Sequence, residues 1–193
     1  MAKGTDSKGK TLSAAARLFR RQGYHGTALH DILAESGAPR GSLYFHFPKG
    51  KEEIGEAALT LAGDAVAQGI AKAAETSADA ETFLVRVVRG MAADLEASDF
   101  RAGCPIATTA LETAAQSEAL GAATRAAFRK WEREIARGLE RFGFAARDAE
   151  VIATAVLSQA EGALLLARTY RSLEPLHRAE KAVTLLALGA LPE

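Results

Sequence analysis

The sequence predicts an all-α protein in which a small head of three helices is packed on a larger helical body. Alanine is very common and proline is rare, with five prolines among 193 residues, and alanine carries the lowest free-energy cost of any residue in a helix. Alternating runs of β-branched residues, which are typical of strands, are missing from the sequence. The interruptions fall at glycine and proline, so we expect helices joined by short turns.

The body is predicted to contain six helices. Pro48 ends the segment before it, and Glu52 and Glu53 then lie in the first turn of a new helix, where the helix dipole favours carboxylates. No flexible linker precedes that helix, so we place two packed domains at residues 1–50 and 51–193. The predicted helices of the body are Lys51–Glu75, Ala80–Ala97, Ile106–Ala115, Glu118–Phe142, Ala146–Tyr170 and Pro175–Leu191.

Composition excludes several classes of protein. With 48% apolar and 25% charged residues the chain is globular and not disordered, and its single cysteine excludes a disulfide framework. The longest apolar run, Ala160–Ala167, is far shorter than the roughly 18 residues of a membrane span. The polar, basic segment Met1–Lys10 does not resemble a signal peptide. We therefore expect a cytoplasmic protein that does not contact a membrane.

The net charge of zero conceals a basic head. From Met1 to Lys51 there are nine Lys and Arg against three Asp and Glu, a net charge of +6, which leaves −6 for the rest of the chain. A basic segment attached to an acidic body favours contact with a polyanion such as nucleic acid. On charge alone, a chance fluctuation explains the asymmetry equally well.

The first two helices of the head have recognisable apolar faces. The first is predicted to begin after the polar segment Thr5–Lys10 and to end at Gly23. The second is predicted to begin at Thr27, a favourable N-cap residue. Residues spaced by three and four are expected to point inward from these helices: Leu12, Ala15, Ala16 and Phe19 from the first, and Leu29, Ile32 and Leu33 from the second.

A short turn and a third helix follow. Gly37 is suited to the left-handed conformation that ends a helix, and Pro39 to the start of the next one, which we predict at Arg40–Phe47. Leu43 and Phe47 can share its buried face. The polar residues left to point outward are Arg40, Ser42, Tyr44 and His46. Two short helices joined by a glycine-containing turn form the helix-turn-helix plan, in which the second helix can enter a major groove.

Several segments of the head match one known pattern without gaps between Thr11 and Leu59. They are Ala15–Phe19, Gly23–Thr27, Asp31–Ala34, Ser36–Phe47 and Lys51–Glu53. Together they resemble the TetR family of bacterial repressors, and the most specific part is Gly41-Ser42-Leu43-Tyr44-x-His46-Phe47.

Two details resemble one branch of that family. Phe47–Glu53 carries one residue more between the aromatic residue and the lysine than the usual F-x-x-K-E-E pattern. Gly103–Ala107, followed by Ala110–Glu112, is similar to a motif in the body of the LmrA/YxaF-like regulators.

The resemblance implies that the head binds one half of a two-fold operator in double-stranded DNA. Arg40 and Ser42 would then contact base edges, and Gly41 would permit close approach of the backbone. The alternatives are that Tyr44 packs partly against the first helix and that His46 is a solvated surface residue. The implied phosphate contacts are Thr27, Tyr44, His46 and Lys51, with additional contacts from the basic residues Lys3, Lys8 and Lys10.

The resemblance also implies that the body binds a small, largely apolar inducer, which shifts the helix Lys51–Glu75 and changes the separation of the two recognition helices. The candidate lining residues are Phe83, Val87, Met91, Cys104, Thr108, Leu111, Phe128 and Trp131, with polar groups from Thr108, Thr109, Glu112 and Gln159. Each of these apolar residues is equally compatible with an ordinary core, although a single tryptophan among small residues often borders a space. Cys104 is either a thiol sensor or a small buried hydrophobic residue.

The last two helices are expected to form a homodimer, as in the TetR family, where they build an intermolecular four-helix bundle. The alternative is that both helices only close the monomer. The candidate interface residues are Val151, Ala155, Gln159, Ala163, Leu166, Leu185 and Gly189.

An enzyme is not expected, because no catalytic constellation is present in the sequence. Lys49-Gly50-Lys51 lacks the spacing of a phosphate-binding loop. The four histidines show no metal-ligand spacing, so neither a metal nor a cofactor is predicted. The rival hypothesis is a helical small-molecule binding module that does not bind DNA.

Overall fold

The computed structural model describes the backbone of residues 4–93 and 95–189, and the side chains of the same residues except 4–6 and 188. These residues form nine helices and no strand, as the sequence predicts. The helices are α1 Gly4–Gln22, α2 Leu29–Ser36, α3 Arg40–His46, α4 Lys51–Thr76, α5 Ala80–Ala92, α6 Pro105–Thr113, α7 Glu118–Arg141, α8 Ala146–Tyr170 and α9 Glu174–Gly189.

Most predicted helix ends lie within two residues of the observed ones, and α8 matches at both ends. The prediction was wrong for the start of α1, which includes the polar segment Thr5–Lys10, and for the end of α5. Residues 93 and 95–100 lie in turns outside the helix, and Asp99 and Phe100 have positive φ angles of 54° and 57°. The Asp99 carboxylate accepts a hydrogen bond from Arg171 Nη2 at 2.7 Å, a contact far along the chain that local propensity does not register.

The chain divides into two compact units. The first unit comprises residues 1–64 and 105–127, and the second unit comprises residues 65–104 and 128–193. The division passes within α4 and within α7, so each of these helices contributes residues to both units. The boundary placed at residue 50 stays a prediction.

The core of the first unit is formed by α1, α2, α3 and the start of α4. The inward faces predicted for α1, α2 and α3 are confirmed, since Phe19, Ile32 and Leu43 are fully buried in one cluster. Burying each such side chain stabilises the fold by about 1.5–3 kcal/mol. The remaining buried members are Leu12, Ala15, Leu18, Phe47, Ile54 and Ala58.

The turn between α2 and α3 depends on glycine and proline, as predicted. Gly37 has a φ of 63°, and its N–H donates to the Leu33 carbonyl at 3.0 Å, which closes the end of α2. Pro39 is the N-cap of α3 with a φ of −60°, which the proline ring favours.

The turn between α3 and α4 accommodates the extra residue of the Phe47–Glu53 segment. Gly50 has a φ of 75°, and its N–H donates to the Phe47 carbonyl at 3.0 Å. The Lys49 N–H donates to Glu53 Oε2 at 2.9 Å. A side chain in the first turn of α4 therefore holds the backbone just before the helix begins.

The second unit is built around α5, α8 and α9, which pack against one another. Phe83 of α5 is completely buried, and a side chain at Gly138 would collide with its ring, so this glycine permits close packing. The longest apolar run in the sequence was judged too short to span a membrane. By length and composition, however, the whole of α8 is long and apolar enough to cross one. A core helix passes the same test, and α8 buries nine of its residues within the unit.

Candidate functional site

The outward face of α3 is exposed to solvent. Arg40, Gly41, Tyr44 and Phe45 are exposed on this helix, whereas Leu43 is buried. Tyr44 is 48% exposed and Phe45 is 82% exposed. A side chain built at Gly41 would meet no other atom within 4 Å, so the start of the helix is open to an incoming molecule.

Two predicted contact residues on α3 are partly engaged within the first unit. The hydroxyls of Ser42 and Ser7 hydrogen-bond to each other at 2.8 Å, which joins α3 to α1. His46 is half-buried, and its ring packs edge-on between Phe45 and Phe47 with centroid distances of 5.2 and 6.3 Å. Both side chains are therefore held in position by their neighbours.

Phe45 is a residue that sequence reasoning missed. It occupies the variable position of the Gly41–Phe47 run, and it was therefore left without a role. The available signal was its spacing, because Phe45 lies two residues from both Leu43 and Phe47 and so cannot share their buried face. A phenylalanine exposed on this helix can contact the methyl group of thymine.

Thr27 does not cap α2 as predicted. Its side chain is fully buried, and its hydroxyl donates to the Gly23 carbonyl at 2.7 Å. The N-cap is Ala28, whose N–H donates to the Asp31 carboxylate at 2.8 Å. Because the Thr27 hydroxyl is used inside the turn between α1 and α2, it stabilises the turn and is not presented on the surface.

Lys51 lies at the start of α4, with its ammonium nitrogen 4.2 Å from the centre of the Tyr24 ring. This cation–π contact holds the lysine against the turn that follows α1. Burial lowers the pKa of Lys51, and the carboxylates of Glu112 and Asp31 oppose that shift.

Glu112, which was predicted to supply a polar group to a ligand pocket, contacts the turn between α1 and α2. Its Oε2 accepts a hydrogen bond from the His25 backbone N–H at 2.7 Å. Its carboxylate also occupies the space that a side chain at Gly23 would need. Glu112 is the last residue of the segment that resembles the LmrA/YxaF-like regulators. This segment therefore places a carboxylate of α6 on the turn between α1 and α2.

Replacing Glu112 with alanine is expected to destabilise the protein by about 1 kcal/mol, because the His25 amide loses a charged acceptor. Glu112→Gln keeps an acceptor oxygen and is expected to lose less than half of that amount. Urea unfolding followed by circular dichroism measures both. The matched control is Glu118→Ala, which removes only an exposed pair with Arg125. Equal losses for the alanine and glutamine variants would show that this hydrogen bond is not what stabilises the turn.

The ligand candidates of the second unit are mostly buried in its core. Trp131 is almost fully buried and packs edge-on against half-buried Phe128, with ring centroids 5.5 Å apart. Phe83, Val87 and Cys104 are buried, and Met91 is half-buried. Of the eight candidates, Val87 and Met91 border a groove of about 270 Å³ between α4 and α5.

The two candidates in the first unit have different surroundings. Thr108 is half-buried, whereas Leu111 is 87% exposed. Leu111 therefore does not line an enclosed cavity of the unit to which it belongs, because α6 turns this position toward solvent. The sequence pattern alone did not distinguish the inner face of α6 from its outer face.

A buried polar pair in the second unit involves Cys104 and Glu161. Burial raises the pKa of the Glu161 carboxyl group, and its hydrogen bond with the Cys104 thiol partly opposes that shift. The other carboxyl oxygen, Oε1, is buried without a hydrogen-bond partner among the described residues. Sequence reasoning assigned Glu161 no role.

The dimer candidates divide into exposed and buried positions. Val151 of α8 and Leu185 of α9 are 67% and 70% exposed, and Leu166, Gln159 and Gly189 are exposed as well. Ala155 is half-buried. Ala163 is only 4% exposed, so its predicted role at the interface is corrected, because it packs within its own unit. Leu186 of α9, which the prediction also placed at the interface, is exposed, and the exposed residues Leu165 and Tyr170 of α8 were omitted from it.

No group of three or more potential metal ligands occurs among the side chains that the structure describes.

Two family profiles match the chain. Residues 12–58 match the family of bacterial regulatory proteins named tetR. Residues 80–182 match the C-terminal domain of LmrA/YxaF-like transcriptional regulators. The second match includes the segment Gly103–Glu112, which carries the resemblance to this branch.

Relatives match over most of the chain. The chain is 38% identical over 171 residues to the HTH-type transcriptional regulator YxaF of Bacillus subtilis strain 168. This match covers 89% of the chain and 90% of YxaF. The chain is also 36% identical over 171 residues to the HTH-type transcriptional regulator LmrA of the same organism. This match covers 89% of the chain and 91% of LmrA. These relatives are regulators and not enzymes, which agrees with the sequence prediction.

A solved structure supports the same fold. The regulatory protein TetR from Rhodobacter sphaeroides is similar with a TM-score of 0.82 and 22% identity, over 93% of this chain and 98% of that chain. At this identity the likeness concerns the fold alone, and it confirms the prediction of an N-terminal helix-turn-helix followed by a larger helical body.

Proposed function

Because this chain belongs to the TetR family of bacterial regulators, in its LmrA/YxaF-like branch, we propose that it is a ligand-responsive repressor. It binds a palindromic operator as a homodimer in the cytoplasm, and a small, largely apolar inducer releases it. The occupied operator blocks transcription by excluding the polymerase.

The observation that carries operator binding is the arrangement of α3. Its apolar residues Leu43 and Phe47 are buried, while Arg40, Tyr44 and Phe45 are exposed. An arginine at the start of a recognition helix can donate two hydrogen bonds to the O6 and N7 atoms of guanine. This combination of a packed inner face and a polar, aromatic outer face is what a helix needs to enter a major groove.

Phosphate contacts are proposed for the residues around this helix. Tyr44, His46 and Lys51 keep that role, and His46 and Lys51 are held in place by aromatic neighbours. For Thr27 the proposed contact is restricted to backbone groups, since its hydroxyl is used internally. Lys8 and Lys10 are exposed on α1 and extend the basic surface, whereas Lys3 lies outside the described residues.

The homodimer is proposed from the exposed apolar residues of α8 and α9. Large apolar side chains that remain exposed on neighbouring helices mark an interaction surface. Two-fold symmetry would then place two recognition helices on half-sites about 34–36 Å apart. A small ligand that favours a differently spaced state lowers operator affinity by its difference in affinity for the two states.

The second candidate function is a helical small-molecule binding module that does not bind DNA. The basic surface of the head and the intact packing of α1, α2 and α3 favour the regulator. A gel-shift assay with the DNA upstream of the protein's own gene separates the two functions. Binding of that DNA in preference to unrelated DNA is expected, and equal binding of both would favour the module.

Replacing Arg40 with alanine is expected to weaken binding to the specific operator by about 1–3 kcal/mol and to leave non-specific binding nearly unchanged. The matched control is Lys49→Ala, which removes an exposed cation in the turn after α3 and leaves the backbone contact of Lys49 intact. The control is expected to weaken binding to all sequences alike. Titrations of operator and random DNA measure both, and a uniform loss in Arg40→Ala would assign Arg40 to a phosphate.

A further inference from the structure

The groove between α4 and α5 has a simple chemical composition. Its volume is about 270 Å³, and apart from Arg86 every residue that lines it is a glycine or has an apolar side chain. The apolar surface includes Ile70 and Val87, which are buried, and Met91, which is half-buried. No carboxylate lines the groove. It therefore combines an apolar surface with one cationic group.

Two glycines keep this groove open. Gly69 of α4 and Gly90 of α5 both line it, and a side chain built on either would meet no other atom within 4 Å. Glycine inside a helix is less favourable than alanine. At Gly63 and Gly138 close packing accounts for that cost, because a side chain there would collide with a neighbour. At Gly69 and Gly90 packing gives no such reason, and what both residues share is the groove.

The guanidinium of Arg86 is positioned by the helix on the opposite side of the groove. Its Nη1 donates to the backbone carbonyl and to the hydroxyl of Thr76, the last residue of α4, both at 2.9 Å. Arg89, one turn later on α5, is paired with Glu180 through two hydrogen bonds of 2.8 and 3.0 Å. Arg86 forms no such ion pair with any side chain in the described part of the chain. Of these two neighbouring arginines, Arg89 is paired with a carboxylate, whereas Arg86 borders the groove without an ion pair to any described side chain.

We propose that this groove binds a small amphiphilic anion, in which an apolar body of one or more rings carries a single carboxylate or sulfonate that pairs with Arg86. Burial of the rings against Ile70, Val87 and Met91 supplies affinity in proportion to the apolar area removed from water. The anionic group accepts charge-assisted hydrogen bonds from the guanidinium. A neutral analogue lacks that pairing, and a cationic one is repelled.

The site has a direct connection to regulation, and this step rests on the proposed inducer response. One wall of the groove belongs to α4, which starts at Lys51 immediately after the turn that follows α3. A ligand that occupies the groove in only one arrangement of α4 and α5 stabilises that arrangement. Inducers of this protein are therefore apolar monoanions.

Two fluorescent probes of nearly the same shape test the charge preference. Anilinonaphthalene sulfonate carries one negative charge, and N-phenylnaphthylamine has the same ring system without it. We expect one sulfonate to bind per chain, with Arg86→Gln weakening it about fivefold, the effect of losing an exposed ion pair worth about 1 kcal/mol. The neutral probe is expected to change by less than about twofold. Arg89→Gln, which removes the same charge from the same helix, is the control and is expected to leave sulfonate affinity unchanged.

Filling the groove tests its location. Gly69→Leu combined with Gly90→Leu is expected to abolish binding of both probes, while circular dichroism shows an unchanged helix content. Gly9→Leu is the control, because Gly9 is an exposed glycine of α1 that also has open space around it. If the wild-type protein binds no sulfonate, or if Arg86→Gln and the double leucine variant retain its affinity within about twofold, the proposal is overturned.

A gel-shift assay with each probe separates this proposal from the proposed function. Release of operator by the sulfonate from the wild-type protein, but not from the double leucine variant, supports both. Probe binding that depends on Arg86 without release of DNA supports the anion site and contradicts the inducer response. Release that is as efficient from the double leucine variant as from the wild type contradicts the site and leaves the inducer response standing.

Discussion

Operator affinity is expected to fall by about a thousandfold when the salt concentration is raised from about 50 to about 200 mM. The head exposes Lys8 and Lys10 on α1, Arg40 on α3 and Lys49 in the turn after α3, and half-buried Lys51 begins α4. Each phosphate that such a cation neutralises contributes about −0.9 to the slope of log K against log salt concentration. Three contacts from each head of a dimer account for the expected loss.

Fluorescence anisotropy of labelled operator across a salt series measures this slope. Lys49→Ala, present in both subunits of the dimer, is expected to make the slope less steep by about two, since each lost phosphate contact changes it by about one. The control is Lys72→Ala, which removes a cation of α4 outside the head. A slope near zero in the wild-type protein would reject operator binding by the head.

Leu166→Arg combined with Leu185→Arg is expected to convert the dimer into monomers and to weaken operator binding at least about a hundredfold. Both leucines are exposed in the single chain, on α8 and α9. A buried, unpaired arginine at an interface costs several kcal/mol, which is a large part of the stability of a dimer. A monomer binds only one half-site, so it loses the gain in affinity that two linked heads provide.

Sedimentation velocity measures the oligomeric state, and a gel shift measures the operator. Leu111→Arg is the matched control, because it changes an even more exposed leucine on α6 to the same residue. The control is expected to remain dimeric and to bind the operator normally. A stable wild-type monomer at micromolar concentration, or the same loss in Leu111→Arg, would contradict the proposed interface.

Local features of the sequence were sufficient for the helices and for the head. Helix starts, helix ends and buried faces depend on residues within one or two turns of each other. Gly37 and Pro39 therefore marked the turn before α3, and the spacing of Leu43 and Phe47 identified its inner face. The same local rules located α8 at both ends.

The errors arose where a distant partner decides the structure. Glu112 and His25 are 87 residues apart in the chain, so the hydrogen bond between them has no local signal. Asp99 and Arg171 are 72 residues apart, so local spacing also could not show that the segment after α5 would leave the helix near this pair.

The sequence by itself determined the helical elements, the helix-turn-helix and the family, because periodicity, turn residues and an ungapped motif are all local. The tertiary structure alone decided which glycines are needed for packing and which border open space, as at Gly138 and Gly90. It also decided that, of two arginines on α5, Arg89 pairs with Glu180 while Arg86 forms no ion pair among the described residues. These properties depend on the atoms that neighbouring helices bring to a side chain, and helix packing brings together residues that lie far apart in sequence.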